Sequence, residues 1–367
     1  MAARSRPRAR LVASFAIVGA LTMLAAACSG SSPAASDTAG TGPTAANSST
    51  PAGRSTAAAA PTQVGVAFGF LMNVEYSGNF VADDAGYYAE AGIVPKFLAG
   101  GPNAPAPEVS IASGQAQIAY ESNTSRLFNY LADNNDIVVI GQVFQRSPNG
   151  LVSLKARPVR TAEELKGASI IAGSANRSSI DALMALNNVT DYTFVPGGAD
   201  IGALQARQGD ALLSFASNQP VALAQQGLTA DQDFYFVPFS DLNYYLMSDV
   251  IIVSRSFLES HRDVVVGFLK ASAKGWETVF NDPRAAAELT VNKYATDQGL
   301  DVDRQEAVVK AQIPYMTSDL TKSDGLFAVE PAFVQDKVYP SLTKAGISKL
   351  PEVSKVIDMT VLADAQK

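Results

Sequence analysis

The chain has 367 residues, 47% of them hydrophobic and 17% charged, with a formal net charge of −7. That length and balance suit a folded body of two lobes, and an acidic surplus argues against nucleic acid, which needs clustered Lys and Arg. A single cysteine and a single histidine exclude an internal disulfide and leave no basis for thiol catalysis or a Cys/His metal site, so neither cofactor nor metal is expected.

The amino terminus carries Arg4, Arg6, Arg8 and Arg10 ahead of an apolar run over residues 11–27, interrupted only by Ser14, Gly19 and Thr22. Basic flank, apolar centre and small residues before a break are the layout of a secretory signal. The run is also at the short limit for a bilayer-spanning helix, which is the alternative reading. It ends in Leu24-Ala-Ala-Ala-Cys28, which resembles a bacterial lipobox, although Ala25 stands where leucine is commoner. The resemblance implies cleavage before Cys28 and lipid attachment to its thiol. Residues 29–62 are almost entirely Ser, Ala, Gly, Thr and Pro, too poor in apolar surface to offset the entropy of ordering, and read as a tether. Signal peptide over 1–28, tether over 29–62 and a lipid anchor would hold the rest at the outer face of the cell membrane.

Beyond the tether, strands and helices alternate. Residues 64–71 form a first buried strand, residues 78–91 a helix, and residues 93–98 a second strand entered through Gly92. A turn at Gly100-Gly-Pro-Asn103 leads to a helix from Pro107. Then come a short strand over 117–120, a helix over 124–132 and a strand over 137–144. The pattern restarts at Thr161, a potential cap with Glu164 three residues on. Strands at 169–172, 192–195, 211–215 and 234–239 alternate with helices at 178–186, 201–208 and 220–226. Residues 250–254 make a further strand, and the remainder is helical, longest over 262–280. Such alternation indicates an α/β fold with mixed, mainly parallel sheets. The expected organisation is one lobe from residues 63–155 plus 245–367, a second lobe from 156–244, and two crossings between them.

Several stretches carry a family resemblance. They are Gly78-Asn-Phe-Val-Ala-Asp-Asp-Ala-Gly-Tyr-Tyr-Ala-Glu-Ala-Gly92, Ser113-Gly-Gln-Ala-Gln-Ile-Ala119 and Gln145-Arg-Ser-Pro-Asn-Gly-Leu-Val-Ser153. Leu165-Lys-Gly167, Gln208-Gly-Asp-Ala211, Asn218-Gln-Pro220, Gly275-Trp276 and Asp282-Pro283 continue the series. In sequence these resemble the nitrate/sulfonate/taurine class of ABC-importer substrate-binding proteins, above all the branch that binds thiamine pyrimidine precursors and includes pyrimidine synthases. The resemblance implies a type II periplasmic-binding-protein clamshell with two hinge strands, a ligand in the cleft, and a permease and ATPase as partners. It also implies a monomer that is not an enzyme.

Candidate ligand residues follow from the rule that open α/β sheets bind at the carboxyl ends of their strands. After the first strand stand Phe70, which could stack on a flat ring, Asn73, which offers both donor and acceptor, and Tyr76. Relatives that bind pyrimidines carry Trp at the position of Phe70. After the third strand, Glu121 and Ser122 are candidates; a buried Glu121 must meet a ligand donor or an internal partner. In the second lobe, Ser174, Asn176, Arg177 and Ser178 sit between strand and helix, where backbone N–H groups suit anionic or polar atoms. Asn218 either caps the helix at Pro220 or faces the cleft. Tyr244 and Tyr245 fall at the second crossing and could wall an aromatic guest.

Against an enzyme, His261 lies at a helix start with no second His or thiol to complete a catalytic set. Asp83-Asp84 and Glu163-Glu164 read as solvated helix faces, and Gly100-Gly-Pro-Asn103 lacks the GK[ST] of a phosphate loop. The sequence therefore points to capture of a small aromatic or heterocyclic solute. An aliphatic sulfonate, nitrate or other small anion is the alternative, and an extracellular cofactor-free enzyme on the same scaffold is the reading of another class.

Overall fold

The computed structural model describes residues 60–367 apart from Pro102. Cys28, the leader and the tether as far as residue 59 lie outside the described residues. No described helix is long and apolar enough to cross a membrane.

In chain order the strands are β1 (Thr62–Ala67), β2 (Ile93–Leu98), β3 (Ile118–Glu121), β4 (Ile137–Phe144), β5 (Asn149–Leu154), β6 (Ser169–Ala172), β7 (Thr193–Pro196), β8 (Ala211–Phe215), β9 (Phe234–Pro238) and β10 (Ser248–Ser254). They form two five-stranded sheets, ordered β2-β1-β3-β10-β4 and β7-β6-β8-β5-β9. In the first, β1 runs parallel to β2 and β3, while β10 is antiparallel to β3 and β4. The second sheet repeats the plan: β6 is parallel to β7 and β8, and β5 is antiparallel to β8 and β9. In each sheet the reversed strand is the one that has just crossed from the other lobe. This is the mixed, two-lobed α/β clamshell expected.

One boundary moves. Residues 149–154, assigned above to the first lobe, belong to the second sheet, where Gly150 faces Ser214 of β8 and Pro238 of β9. Gly150 permits that central position, because a Cβ there would stand 2.3 Å from the Val237 carbonyl oxygen. The first crossing therefore lies between Phe144 and Asn149. The second falls within residues 239–247, where Tyr244 packs into the second lobe's core and Tyr245 leans on Phe333 of the first.

Local chemistry also shortens some predicted elements. The helix expected over 78–91 is two, Ser77–Asp84 and Tyr87–Glu90, divided at Gly86 with φ of 78°. The first strand ends at Ala67, and residues 68–76 become a loop that enters the site. That loop is held by the helix Arg262–Asn281, which crosses Ser77–Asp84 so closely that a Cβ on Gly275 would lie 2.0 Å from the Gly78 oxygen. Trp276 is buried over Gly78. The first sheet carries apolar clusters on both faces, and the second sheet likewise. Cleft loops are thus anchored on two rigid halves.

Candidate ligand-binding site

A cavity of about 750 Å³ lies between the lobes at the carboxyl ends of β1, β3 and β8. The first lobe contributes the loop from Gly69 to Asn73 with Glu75, and the segment from Ser122 to Arg126. The second lobe supplies Asn176, Ser179, Leu213 to Phe215 and Ser217 to Gln219. Phe239, Tyr244 and Leu246 line it at the second crossing, and Arg304, Gln305, Val308 and Gln312 enter from the helix Val302–Met316. A volume of this size, with aromatic walls and a few polar groups, matches an ordinary small-molecule site.

Of the residues named from sequence, Phe70, Asn73, Ser122, Asn176, Asn218 and Tyr244 line this cavity. Phe70 is 48% exposed and stands in the cavity lining, where its ring is free to meet a guest. Its N–H donates to the Tyr76 hydroxyl at 3.0 Å. Asn73 is partly committed: its Oδ1 accepts the Glu75 N–H at 2.7 Å and its Nδ2 donates to the Leu71 oxygen at 3.1 Å, fixing the short 3-10 helix Val74–Tyr76. Asn218 does not cap its helix with its side chain. Its Oδ1 accepts from Arg304 Nη2 at 3.2 Å, a bond between the lobes.

The other candidates lie elsewhere. Tyr76 is buried behind the wall, stacked on Phe68 with centroids 4.1 Å apart. Glu121 is buried against Arg126, whose Nη2 lies 2.8 Å from both carboxylate oxygens, and it also takes the Asn123 N–H. Arg177 pairs with Asp181 at 2.8 Å and covers the Phe194 ring, because i,i+4 spacing on its own helix offers the nearest carboxylate. Ser174 and Ser178 are exposed outside the cavity lining. Tyr245 packs on Phe333 and beneath Lys337. His261 stacks on Phe257 near the surface, away from the cleft.

Sequence reasoning missed Glu75, Phe215, Arg304, Gln305 and Gln312, all in the lining, and Asp249 beside it. Phe215 meets Phe144 edge-on at 5.7 Å where the lobes join. Gln312 is fully buried; its amide nitrogen donates to the Val74 oxygen at 3.0 Å, leaving Oε1 without a partner. Gln305 Oε1 is buried and unpartnered as well, and the buried Tyr244 hydroxyl stands beside Ser125 and Ser179. Both Gln oxygens lie behind the cavity surface, so the polar groups a guest meets are the accessible ones of the lining.

Two pairs of acids stand at this wall, three of the four buried and Glu75 half-buried. Glu108 and Glu121 share Arg126, 3.3 Å and 2.8 Å away. Burial and the hydrogen bond with Glu108 push the Glu121 carboxyl up to about 8 against the pull of Arg126. The second pair is Glu75 and Asp249. The register that sets Val250 of β10 opposite Glu121 puts Asp249 beside Ser122, whose hydroxyl donates to Asp249 Oδ1. Asp249 Oδ2 finds no donor, and Glu75 is close enough for each carboxyl to act on the other's proton affinity. Burial, then the neighbouring Asp249 charge, raises Glu75 well above the carboxylate range; burial raises Asp249 too. Asp249 also holds a φ of 48°, uncommon for a non-glycine residue and costly enough to need support.

Comparison with known proteins gives these observations a context. The family described as NMT1/THI5 like matches residues 73–286. The riboflavin-binding protein RibY of Chloroflexus aurantiacus is 27% identical over 325 residues, covering 83% of this chain and 85% of that one. Among solved structures, the periplasmic aliphatic sulphonate binding protein SsuA of Escherichia coli superposes with a TM-score of 0.62 at 14% identity, covering 81% of this chain and 92% of that one. The desulfurization enzyme DSZB superposes at 0.55 with 13% identity, over 83% of this chain and 99% of its own. At such identities the likeness is one of fold.

Proposed function

Because the chain belongs to the NMT1/THI5-like family, we propose that it is an extracytoplasmic solute-binding protein, lipid-anchored through Cys28, that delivers a small aromatic or heterocyclic solute to an ABC importer. The carrying observation is a cavity of about 750 Å³ walled by Phe70, Phe215 and Phe239, with Asn73 and Ser122 of one lobe and Asn176 and Asn218 of the other in its lining. Aromatic walls favour a flat guest, and polar groups on both lobes reward a guest that bridges them. Closure then follows from contacts made to both lobes at once. A thiamine pyrimidine precursor and a flavin are the leading solutes, the latter because the relative RibY binds riboflavin.

The test is a thermal-shift panel followed by calorimetry on the purified chain, with riboflavin, an aminopyrimidine, methanesulfonate and nitrate. A true solute at ~100 times its Kd adds about 3 kcal/mol, a melting-temperature rise on the order of 5 °C. Flat heterocycles should give that rise, and Phe70→Ala should reduce it. Silence from every heterocycle sinks the reading. Recovery of the ligand chemically unchanged separates a carrier from an enzyme. The anchor has its own test: mass spectrometry of membrane-extracted protein should find acylated Cys28, and Cys28→Ser should release the protein.

Capture of a small anion is the second reading, favoured by Arg304, which lines the cavity and has no carboxylate within ion-pair distance among the described residues. A cavity of about 750 Å³ is far larger than nitrate needs, and Glu75 and Asp301 in the same lining oppose an anion.

A further inference from the structure

We propose that Glu75 and Asp249 hold a single proton between them, and that the pair is the selectivity element of the cleft. It accepts hydrogen bonds from the N–H or O–H donors of an uncharged ligand and repels anionic solutes. The inference rests on the cavity being the ligand site.

Its basis is geometric. Glu75 lines the cavity, while Asp249 is 1% exposed directly behind it. Two carboxylates side by side, Asp249 buried and Glu75 half-buried, resist ionising together without a cation. Among the described residues no Lys or Arg lies within ion-pair distance of either. The groups facing the pair are Tyr76 from its own 3-10 helix and Tyr120 and Ser122 at the end of β3. Further out, Arg126 is committed to Glu108 and Glu121, and Asp301 and Arg304 also line the cavity. With one proton between the acids, Glu75 keeps an oxygen for the cavity as an acceptor. The Oε1 atoms of Gln305 and Gln312 are closed off from the cavity, so the acceptor offered to a guest is the Glu75 oxygen. It asks for a guest with N–H or O–H donors, such as an amide, ureide or amino-substituted ring edge or a polyol. The fit of a sulfonate is poor, because its oxygens would face an acceptor and a negative charge.

Closure over a guest removes the pair from water, which costs far more for two charges than for one. Binding of a neutral ligand therefore holds the proton in place and weakens as rising pH removes it. The experiment has two arms on the full chain, wild type and Glu75→Gln, with Asp249→Asn as a second variant. Infrared difference spectra at about pH 7 should show a protonated-acid carbonyl stretch in wild type that either variant loses. Subtracting variant from wild type separates this pair from Glu121. Affinity for riboflavin, read by its fluorescence, should fall at least about tenfold between about pH 6 and about pH 9. The slope should shrink to within about twofold in Glu75→Gln, which should also gain methanesulfonate binding.

Absence of the acid band overturns the proposal whatever binds. A band with pH-independent riboflavin binding, or with the same slope in the variant, overturns the selectivity role and leaves the cleft reading standing. Methanesulfonate bound alone, or neither probe bound, counts against both.

Discussion

The two acid pairs flanking β3 begin alike and end differently. Glu108 with Glu121, and Glu75 with Asp249, each bring two carboxyl groups together in the first lobe. The first pair has Arg126 across it; the second has only hydroxyl neighbours, Ser122 and Tyr76. Both Glu121 oxygens are taken by Arg126 even though its carboxyl is pushed up to about 8, so the fold has already answered that pair and it serves architecture. The pair without a cation stays responsive to whatever enters beside it. Glu121 drew attention in the sequence as a possible ligand residue, yet Arg126 occupies the place that a ligand's donors would take.

Arg126→Ala would break this contrast most severely. It strips the cation from two buried acids, and with Arg126 itself part-exposed the expected loss is about 2–3 kcal/mol at neutral pH by urea unfolding. Acidification should relieve most of it, since the acids then bind protons.

Next in size is Glu108→Gln. The Glu121 carboxyl is raised to about 8 in the folded chain, so its stabilising contribution is present below its ordinary value and lost as pH climbs towards 8. Wild type should therefore lose stability across that window. Removing the neighbouring Glu108 should flatten the decline by ~1–2 kcal/mol. Equal slopes in the two proteins would show that Arg126 already neutralises the pair.

Asp249→Asn and Glu75→Gln should change stability by less than about 1 kcal/mol, because each keeps a hydrogen-bonding edge and Asn tolerates the positive φ of residue 249. Losses like that of Arg126→Ala would place this pair with the architectural one. Smallest is Arg304→Ala, which removes an exposed bond between the lobes to Asn218. Stability should move by a few tenths of a kcal/mol, while solution scattering should detect a more open ligand-free form.

Much of the architecture was legible along the chain. Alternating strand and helix patterns located the β-strands from β1 to β4 and from β6 to β10, and restarted patterning at Thr161 signalled a second lobe. β5 escaped because Asn149–Leu154 is short and its place depends on Gly150 slipping between two strands distant in sequence. Site residues were legible where a strand end leads into the cleft, as at Phe70, Ser122 and Asn218. They were invisible on the helix Val302–Met316, whose Gln305 and Gln312 look like ordinary polar helix positions.

Sequence alone determined the two-lobed α/β plan and the loops that could reach a ligand, because periodicity and turn chemistry are local properties. Tertiary structure decided which charges are spent. Arg126 and Arg177 both stand beside the start of a helix that follows a strand, yet one lies over two buried acids and the other over a surface ring. Asp249 meets Glu75 only because β10 returns from the second lobe and pairs antiparallel with β3. A carboxyl's proton affinity is set by burial and by neighbours brought from far along the chain, and no short stretch of residues contains that information.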